Sequence, residues 1–325
     1  MKAAVVNEWG QTPVYTDHPE PEASDGAVIA AVEASALSNL SRGISSGKHY
    51  STRGIHLPVI PGVDGVVRFD DGRRAYVGPL SPHGMMAERT LVDPHEAVEV
   101  PEGVDSVTAA AIPNPGTSAW MSLEHAAAVG PGDHVLVLGA TGVTGSIAVQ
   151  LAKSVFGAGR VVVAGRDAAR LQWLQDTAGA DDAIALGSED IGARVAALHA
   201  ERPFDAVLDY LWGEPAEQVL AALATSQLAA RYHATRFVQI GSMAGPTMNL
   251  AAGVLRSTAI TMSGVGLGSV PPDVVARIRT EALPRLFAMV ASGDLHLRTQ
   301  ARQLADVERV WTSAEPSGTR VVFTP

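Results

Sequence analysis

Cysteine is absent from the 325 residues, which removes disulfide frameworks, thiolate nucleophiles, iron–sulfur clusters and every zinc site built on sulfur. Positive charge is also scarce. Lys and Arg number 24 against 34 Asp and Glu, giving a net charge of −10, and no cationic block is present to neutralise a line of phosphates, so nucleic acid is a poor partner. Uninterrupted apolar runs of membrane-spanning length are missing too: residues 135–152 and 237–255 carry no charge, but Gly, Thr, Ser, Gln, Asn and Pro break both. The opening Met1-Lys-Ala-Ala-Val-Val-Asn-Glu-Trp9 is too short in apolar residues for a secretory segment, which leads us to expect a cytoplasmic protein. What is present is enough to build real cores, with 46% apolar and 18% charged residues; the length points to about two domains.

The first third reads as short extended segments. Residues 3–6, 27–35, 66–69 and 74–77 have strand character, Asp71-Gly72 joins the last two as a hairpin, and a short helix fits 39–46. After Pro113-Asn-Pro-Gly116 the pattern changes to alternating strands and helices. Strands are expected at 134–138, 160–164, 183–185, 204–208, 236–240 and 259–263, several of them continuous Val, Leu and Ile runs as in parallel strands buried on both faces. Helical patterns fill 142–156, 167–178, 191–199 and 215–224. The fold class is therefore α/β, a doubly wound parallel sheet. After Pro271-Pro272 come a helical pattern over 273–291, broken or kinked at Pro284, then 304–314 and a final strand at 320–323. This tail is too short for a domain and is expected to complete the N-terminal one, giving a mostly β domain of 1–115 and 268–325 around an inserted α/β domain of 116–267.

Val135-Leu-Val-Leu-Gly139-Ala-Thr141-Gly142-Val143-Thr-Gly145 sets three glycines between a strand and a helix. That context gives the spacing a physical meaning: a tight turn, close backbone approach to a pyrophosphate, close helix–strand packing and phosphates at the positive helix N-terminus. The spacing is GxxGxxG rather than GxGxxG, and a turn alone explains a bare glycine trio; strand before, helix after and the further βα units favour dinucleotide binding. At the end of the second strand a carboxylate would select NAD through the ribose hydroxyls. Here Gly165 leaves room and Arg166 supplies a forked cation, which favours NADPH. Arg170 either joins that phosphate site or lies on a solvated face. Asp167 fits a helix N-cap better than a ribose ligand.

Together with Met1-Lys-Ala-Ala-Val-Val, Pro61-Gly-Val-Asp64-Gly-Val-Val67, Gly84-Met-Met-Ala-Glu88, Pro101-Glu-Gly103, Pro113 to Trp120 and Phe204-Asp-Ala-Val-Leu-Asp209, these features resemble the zinc-independent, quinone-oxidoreductase-like branch of the medium-chain dehydrogenase/reductase superfamily. The resemblance spans nearly the whole chain. It implies a GroES-like substrate domain made of both chain ends, a Rossmann NADP-binding domain, an active-site cleft where they meet, and a homodimer acting on a small molecule. Zinc-dependent relatives need a catalytic Cys and a Gly-His-Glu motif, where this chain has Gly62-Val63-Asp64, and no other metal-ligand spacing is present. What then remains natural is hydride transfer from NADPH to an electrophilic acceptor, a quinone or an activated alkene. Further cofactor contacts carry over by position: Thr117, Tyr210, Leu211, Gly241, Ser242, Gly264, Val265 and Gly266. The Asn-x-x-Asp motif of relatives is replaced by Leu37-Ser38-Asn39-Leu40-Ser41-Arg42. Ser38, Asn39 or Ser41 is left to orient substrate, with an N-cap equally good for Ser38. Tyr50 is the phenol expected near a substrate, either a proton donor or a wall of the cleft.

Other functions are less well founded. Gly43-Ile-Ser-Ser-Gly47 matches a nucleophile elbow but lacks its strand–turn–helix setting and any assignable partners. No Tyr is followed four residues later by Lys, as a short-chain dehydrogenase would require. Two alternatives to quinone reduction stay open: reduction of an enone or alkenal double bond, and an idle NADPH-binding sensor.

Overall fold

The computed structural model describes residues 1–24, 26–49, 52–224 and 232–325. It separates into two compact units, Met1–Asn114 with Ile278–Pro325, and Pro115–Arg277. The first unit begins with β1 (Lys2–Val5), β2 (Val14–Asp17), β3 (Val28–Ala36), α1 (Asn39–Ser45), β4 (Gly65–Arg68), β5 (Arg74–Val77), β6 (Arg89–Val92), β7 (Val98–Glu99) and α2 (Ser106–Ala111). Next come α3 (Pro113–Met121), β8 (His134–Leu138), α4 (Val143–Ser154), β9 (Arg160–Gly165), α5 (Ala168–Asp176), β10 (Asp182–Ala185), α6 (Ile191–Glu201), β11 (Ala206–Asp209), α7 (Gly213–Leu223), β12 (Ala234–Gln239), α8 (Ala252–Ser257), β13 (Ala259–Gly264) and α9 (Pro272–Arg277). The chain then returns to the first unit through α10 (Leu283–Ser292), β14 (Arg298–Gln303), α11 (Val307–Trp311) and β15 (Thr319–Thr324).

In the first unit, β3 pairs antiparallel with β4, β6 and β15, so the C-terminal strand lies beside an N-terminal one. The sheet order is β14-β15-β3-β4-β5-β7, with β6 also on β3 and only β14–β15 parallel. Gly72 makes the β4–β5 hairpin possible: its φ of +88° is one that a side chain resists. Leu37, Met86, Val307, Trp311 and Phe323 gather residues from both chain ends into one core cluster. The helical pattern over 273–291 is not one helix. A π-helical turn, Ile278–Ala282, separates α9 from α10, and Pro284 occupies the first turn of α10. Proline has no N–H for the helical ladder and its ring crowds the carbonyl four residues back, so the turn widens and the helix restarts where that N–H is not needed.

The second unit holds a six-stranded, wholly parallel sheet in the order β10-β9-β8-β11-β12-β13. This is the doubly wound arrangement, with the strand order reversing between β8 and β11. Every residue of β8 and β11 is buried, which is why they read as unbroken apolar runs. Phe204 and Phe237 are fully buried in the core beside Leu136, Val162 and Leu220, each such side chain contributing about 1.5–3 kcal/mol. Edge strand β13 is at best half-covered along its length. Among the described residues no helix is long and apolar enough to cross a membrane.

Candidate functional site

The glycine segment forms the strand–turn–helix that its spacing predicts. Gly139 follows β8 at φ +79°, and Gly142 is the N-cap of α4, where no side chain caps the helix. The first-turn amides of α4 therefore face the turn, as an anion site requires. Gly142 N–H donates to the Gly139 carbonyl at 3.1 Å, while Gly139 and Ala140 N–H both donate to the Ala164 carbonyl of β9 at 2.9 and 3.0 Å. A Cβ on Gly145 would stand 2.5 Å from the Gly139 oxygen and 2.7 Å from Ala140 Cα. The third glycine is thus a close-packing residue, and Val143 is the first residue of the helix.

At the tip of β9 lie Gly165 and Arg166, with Asp167 and Arg170 at the start of the helix that follows. Gly165 does not leave an empty space: a Cβ there would meet Thr141 Cγ2 at 2.4 Å and Oγ1 at 2.8 Å. The space is filled by Thr141, itself 7% exposed, and the glycine serves the packing of one strand tip on its neighbour's turn. Arg166, next in the chain, is exposed. Arg170 is not on a solvated face; it is 3% exposed and its guanidinium lies 4.2 Å from the centre of the Trp173 ring, a cation–π contact. Asp167 is the N-cap of α5, its Oδ1 accepting the Arg170 N–H at 3.0 Å.

The ends of β11, β12 and β13 are laced together. Asp209, the last residue of β11, accepts Ile240 and Gly241 N–H on its carbonyl at 2.8 and 3.1 Å, and Ala244 N–H donates to Leu211 O at 2.8 Å. The Asp209 carboxylate is buried, and Oδ1 accepts the N–H groups of Leu211 and Trp212 at 2.8 and 3.0 Å. Burial raises its pKa despite these bonds. Trp212 stands at φ 59°, ψ −164°, a region nearly reserved for glycine that costs on the order of 1–3 kcal/mol for other residues. Gly139 is needed beneath this turn, since a Cβ would lie 3.0 Å from Leu211 Cδ2, and Gly241 likewise, 2.7 Å from the Tyr210 oxygen. Val265 N–H donates to Gln239 O at 2.9 Å, and the Ser269 hydroxyl ties the Gly264 and Gly266 carbonyls at 3.1 Å each. Trp212, Gln239, Ser242, Pro246, Met262, Ser263 and Gly264 line a pocket of about 520 Å³. Thr117 lies on α3 and is half-buried. Sequence reasoning reached Leu211 but missed Asp209 and Trp212; the only signal was an acid closing a buried apolar strand.

Residues 143–280 match the family model described as zinc-binding dehydrogenase. A probable NADPH-dependent quinone reductase of Emericella nidulans is 26% identical with both chains fully covered. The 2-methylene-furan-3-one reductase of Solanum lycopersicum is 31% identical over 58% of this chain and 53% of that one. The quinone oxidoreductase of Thermus thermophilus, also solved with NADPH, superposes with a TM-score of 0.81 at 28% identity over all of both chains. The chain is thus similar over its whole length to quinone reductases, and over residues 143–280 to the zinc-binding dehydrogenase family.

The first unit carries Gly62-Val63-Asp64 where zinc-dependent dehydrogenases have Gly-His-Glu. Val63 has no donor atom, and Asp64 is buried with Oδ2 accepting the Tyr76 hydroxyl at 2.6 Å. Burial pushes the Asp64 carboxyl up to about 6, against the hydrogen bond from Tyr76 and the charge of Arg320. Among the described residues no three His, Cys, Asp or Glu side chains are grouped to hold a metal ion; these residues do not fit zinc. Ser38 is the N-cap of α1, 1% exposed, accepting Ser41 N–H at 3.0 Å with its hydroxyl 3.0 Å from that of Ser41. Asn39 is exposed at the start of α1, whereas Tyr50 lies outside the described residues. Ser45, the would-be elbow serine, is 2% exposed at the end of a helix, and Ser46 Oγ donates to Gly43 O at 2.7 Å. Neither is presented as a nucleophile.

Proposed function

We propose that this protein is an NADPH-dependent reductase that delivers a hydride to a quinone or similarly activated acceptor without a metal ion. The observation that carries the proposal is the uncapped glycine turn of Gly139, Gly142 and Gly145 at the head of α4, beside the exposed Arg166. Relatives named as NADPH-dependent quinone reductase, and a solved quinone oxidoreductase with NADPH, support it. Bound NADPH supplies the hydride. Backbone amides of Val143 and Gly145 would hold its pyrophosphate, Arg166 would pair with the 2′-phosphate, and Thr141 holds the turn against Gly165. Arg170, stacked on Trp173, supports that corner from inside. Thr117, Leu211, Gly241, Ser242, Gly264, Val265 and Gly266 receive the nicotinamide half.

Asn39 orients the acceptor, Ser38 holds Asn39 in place by capping α1, and Tyr50 is the candidate phenol. The acceptor gains the hydride and then a proton, which an ionised hydroquinone takes from water without a dedicated acid. An enone double bond is the second acceptor class, favoured by the relative named for reducing a methylene-furanone. We further propose a cytoplasmic homodimer, with β13 as the edge left to pair.

The test is NADPH oxidation, followed at the nicotinamide absorbance, against ortho- and para-quinones, enones, enals and simple aldehydes, with and without a chelator. Turnover with quinones or enones, unaffected by the chelator, is expected. Tight NADPH binding with no turnover on any acceptor would instead mark an idle sensor, and stoichiometric zinc with chelator-sensitive turnover would contradict the metal-free reaction.

A further inference from the structure

Trp212 combines features that packing alone does not require. Its backbone, at φ 59°, ψ −164°, would suit glycine, yet the position carries the largest side chain. The conformation is enforced from two sides. From inside, the buried Asp209 Oδ1 takes the N–H groups of both Leu211 and Trp212, and its Oδ2 is buried with no hydrogen bond among the described residues, so this carboxylate serves that turn. From the side, the loop after β12 is pinned to it by Ala244 N–H on Leu211 O and Gly241 N–H on Asp209 O, and a Cβ on Gly213, at φ +58°, would stand 3.1 Å from the Ala244 oxygen. A strained residue held this firmly is expected where a ligand is met.

Trp212 packs partly buried against the sheet core and also lines the pocket at the carboxyl ends of β11, β12 and β13, the end at which open α/β sheets bind ligands. Met262, Pro246, Ser242, Ser263 and Gln239 line the same pocket. Gln239 Nε2 donates to the Gly241 carbonyl at 3.0 Å, which leaves its amide oxygen as an acceptor. None of the lining side chains is charged. An aromatic wall, soft apolar neighbours and neutral hydrogen-bonding groups suit a flat, uncharged ring that bears carbonyl or amide groups.

We propose that Trp212 is a specificity-determining residue that contacts such a ring, and that Asp209 is the positioning residue that holds it. The inference rests on the reductase proposal for the source of the ring, which is either the nicotinamide of the cofactor or the acceptor itself.

The experiment compares wild type with Trp212→Gly, which the backbone favours, Trp212→Phe, which keeps a ring, Asp209→Ala and Asp209→Asn. Adenosine 2′,5′-bisphosphate and NADPH are titrated at equilibrium, and KM and kcat are measured with 1,4-benzoquinone. The bisphosphate is expected to bind every variant within about twofold of wild type, showing that the fold and the adenosine half are intact. Trp212→Gly and Asp209→Ala should each lose at least about tenfold, in NADPH affinity if the ring is nicotinamide, or in KM for the quinone alone if it is the acceptor. Trp212→Phe and Asp209→Asn, which retain a ring and an accepting oxygen, should recover most of that loss. Trp212→Gly that binds NADPH and uses the quinone as wild type does would overturn this inference alone. A wild-type protein that binds neither the bisphosphate nor NADPH would overturn the reductase proposal and the ligand assigned here with it.

Discussion

Arg166 is the exposed guanidinium at the β9 tip, and the glycine before it is there for Thr141. On the proposed reading, preference for NADPH depends on this one side chain. Arg166→Ala should lower kcat/KM for NADPH by about tenfold or more while that for NADH stays within about threefold, the signature of a lost charge-assisted bond to the 2′-phosphate; equal losses would remove the assignment. Asp64 gives a second prediction. Its carboxyl titrates near 6 in the fold against about 3.9 in an unfolded chain, so the native state binds this proton more tightly. Stability from this group is complete below about pH 4 and is lost as pH rises through 6, with about 3 kcal/mol as the upper bound. Urea unfolding of Asp64→Asn, which still accepts the Tyr76 hydroxyl, should lack this fall and be more stable relative to wild type at pH 8 than at pH 4.

At the level of elements, the crossing of α4 over β8 depends on the absence of one methyl group. Gly145→Ala places a Cβ against backbone rather than against a flexible side chain, and should destabilise the protein by about 1–3 kcal/mol while weakening NADPH binding; an unchanged urea midpoint would refute the packing role. Asp167→Ala should lose about 1 kcal/mol through the α5 cap and leave the preference for NADPH over NADH intact. Much of this was legible in the sequence. Buried parallel strands such as β8 announce themselves as Val-Leu-Val-Leu, Asp167 has a capping residue's place, and the glycine trio needs only its flanking strand and helix to be understood. Other elements were hidden for physical reasons. Helix α8 buries no residue, so it has no apolar period to detect. Gly165 looks the same whether a ligand or Thr141 fills its space, since that contact joins residues distant in sequence. Backbone angles leave no compositional mark, which is why the strained Trp212 was unread.

For the whole molecule, the order of parts was the most legible feature, because a change from irregular β to repeated βα patterns and back is written in residue type over long stretches. The surroundings of Ser38, Asn39 and Ser41 were the least legible, since they depend on the direction of each hydroxyl or amide: Ser38 and Ser41 are buried on one another, while Asn39 is exposed. The exposed edge of β13 carries Ile260 and Met262 half-covered, and light scattering should return twice the mass of one chain; a monomer at micromolar concentration would contradict the homodimer. The central claim is that the carboxyl ends of the parallel sheet hold a phosphorylated nicotinamide dinucleotide. Equilibrium titration of the wild-type protein with NADPH and, in parallel, with NADH tests it most directly. The account predicts saturable binding with NADPH at least about tenfold tighter, a difference of about 1.4 kcal/mol; binding of neither, or of NADH as tightly as NADPH, would contradict it.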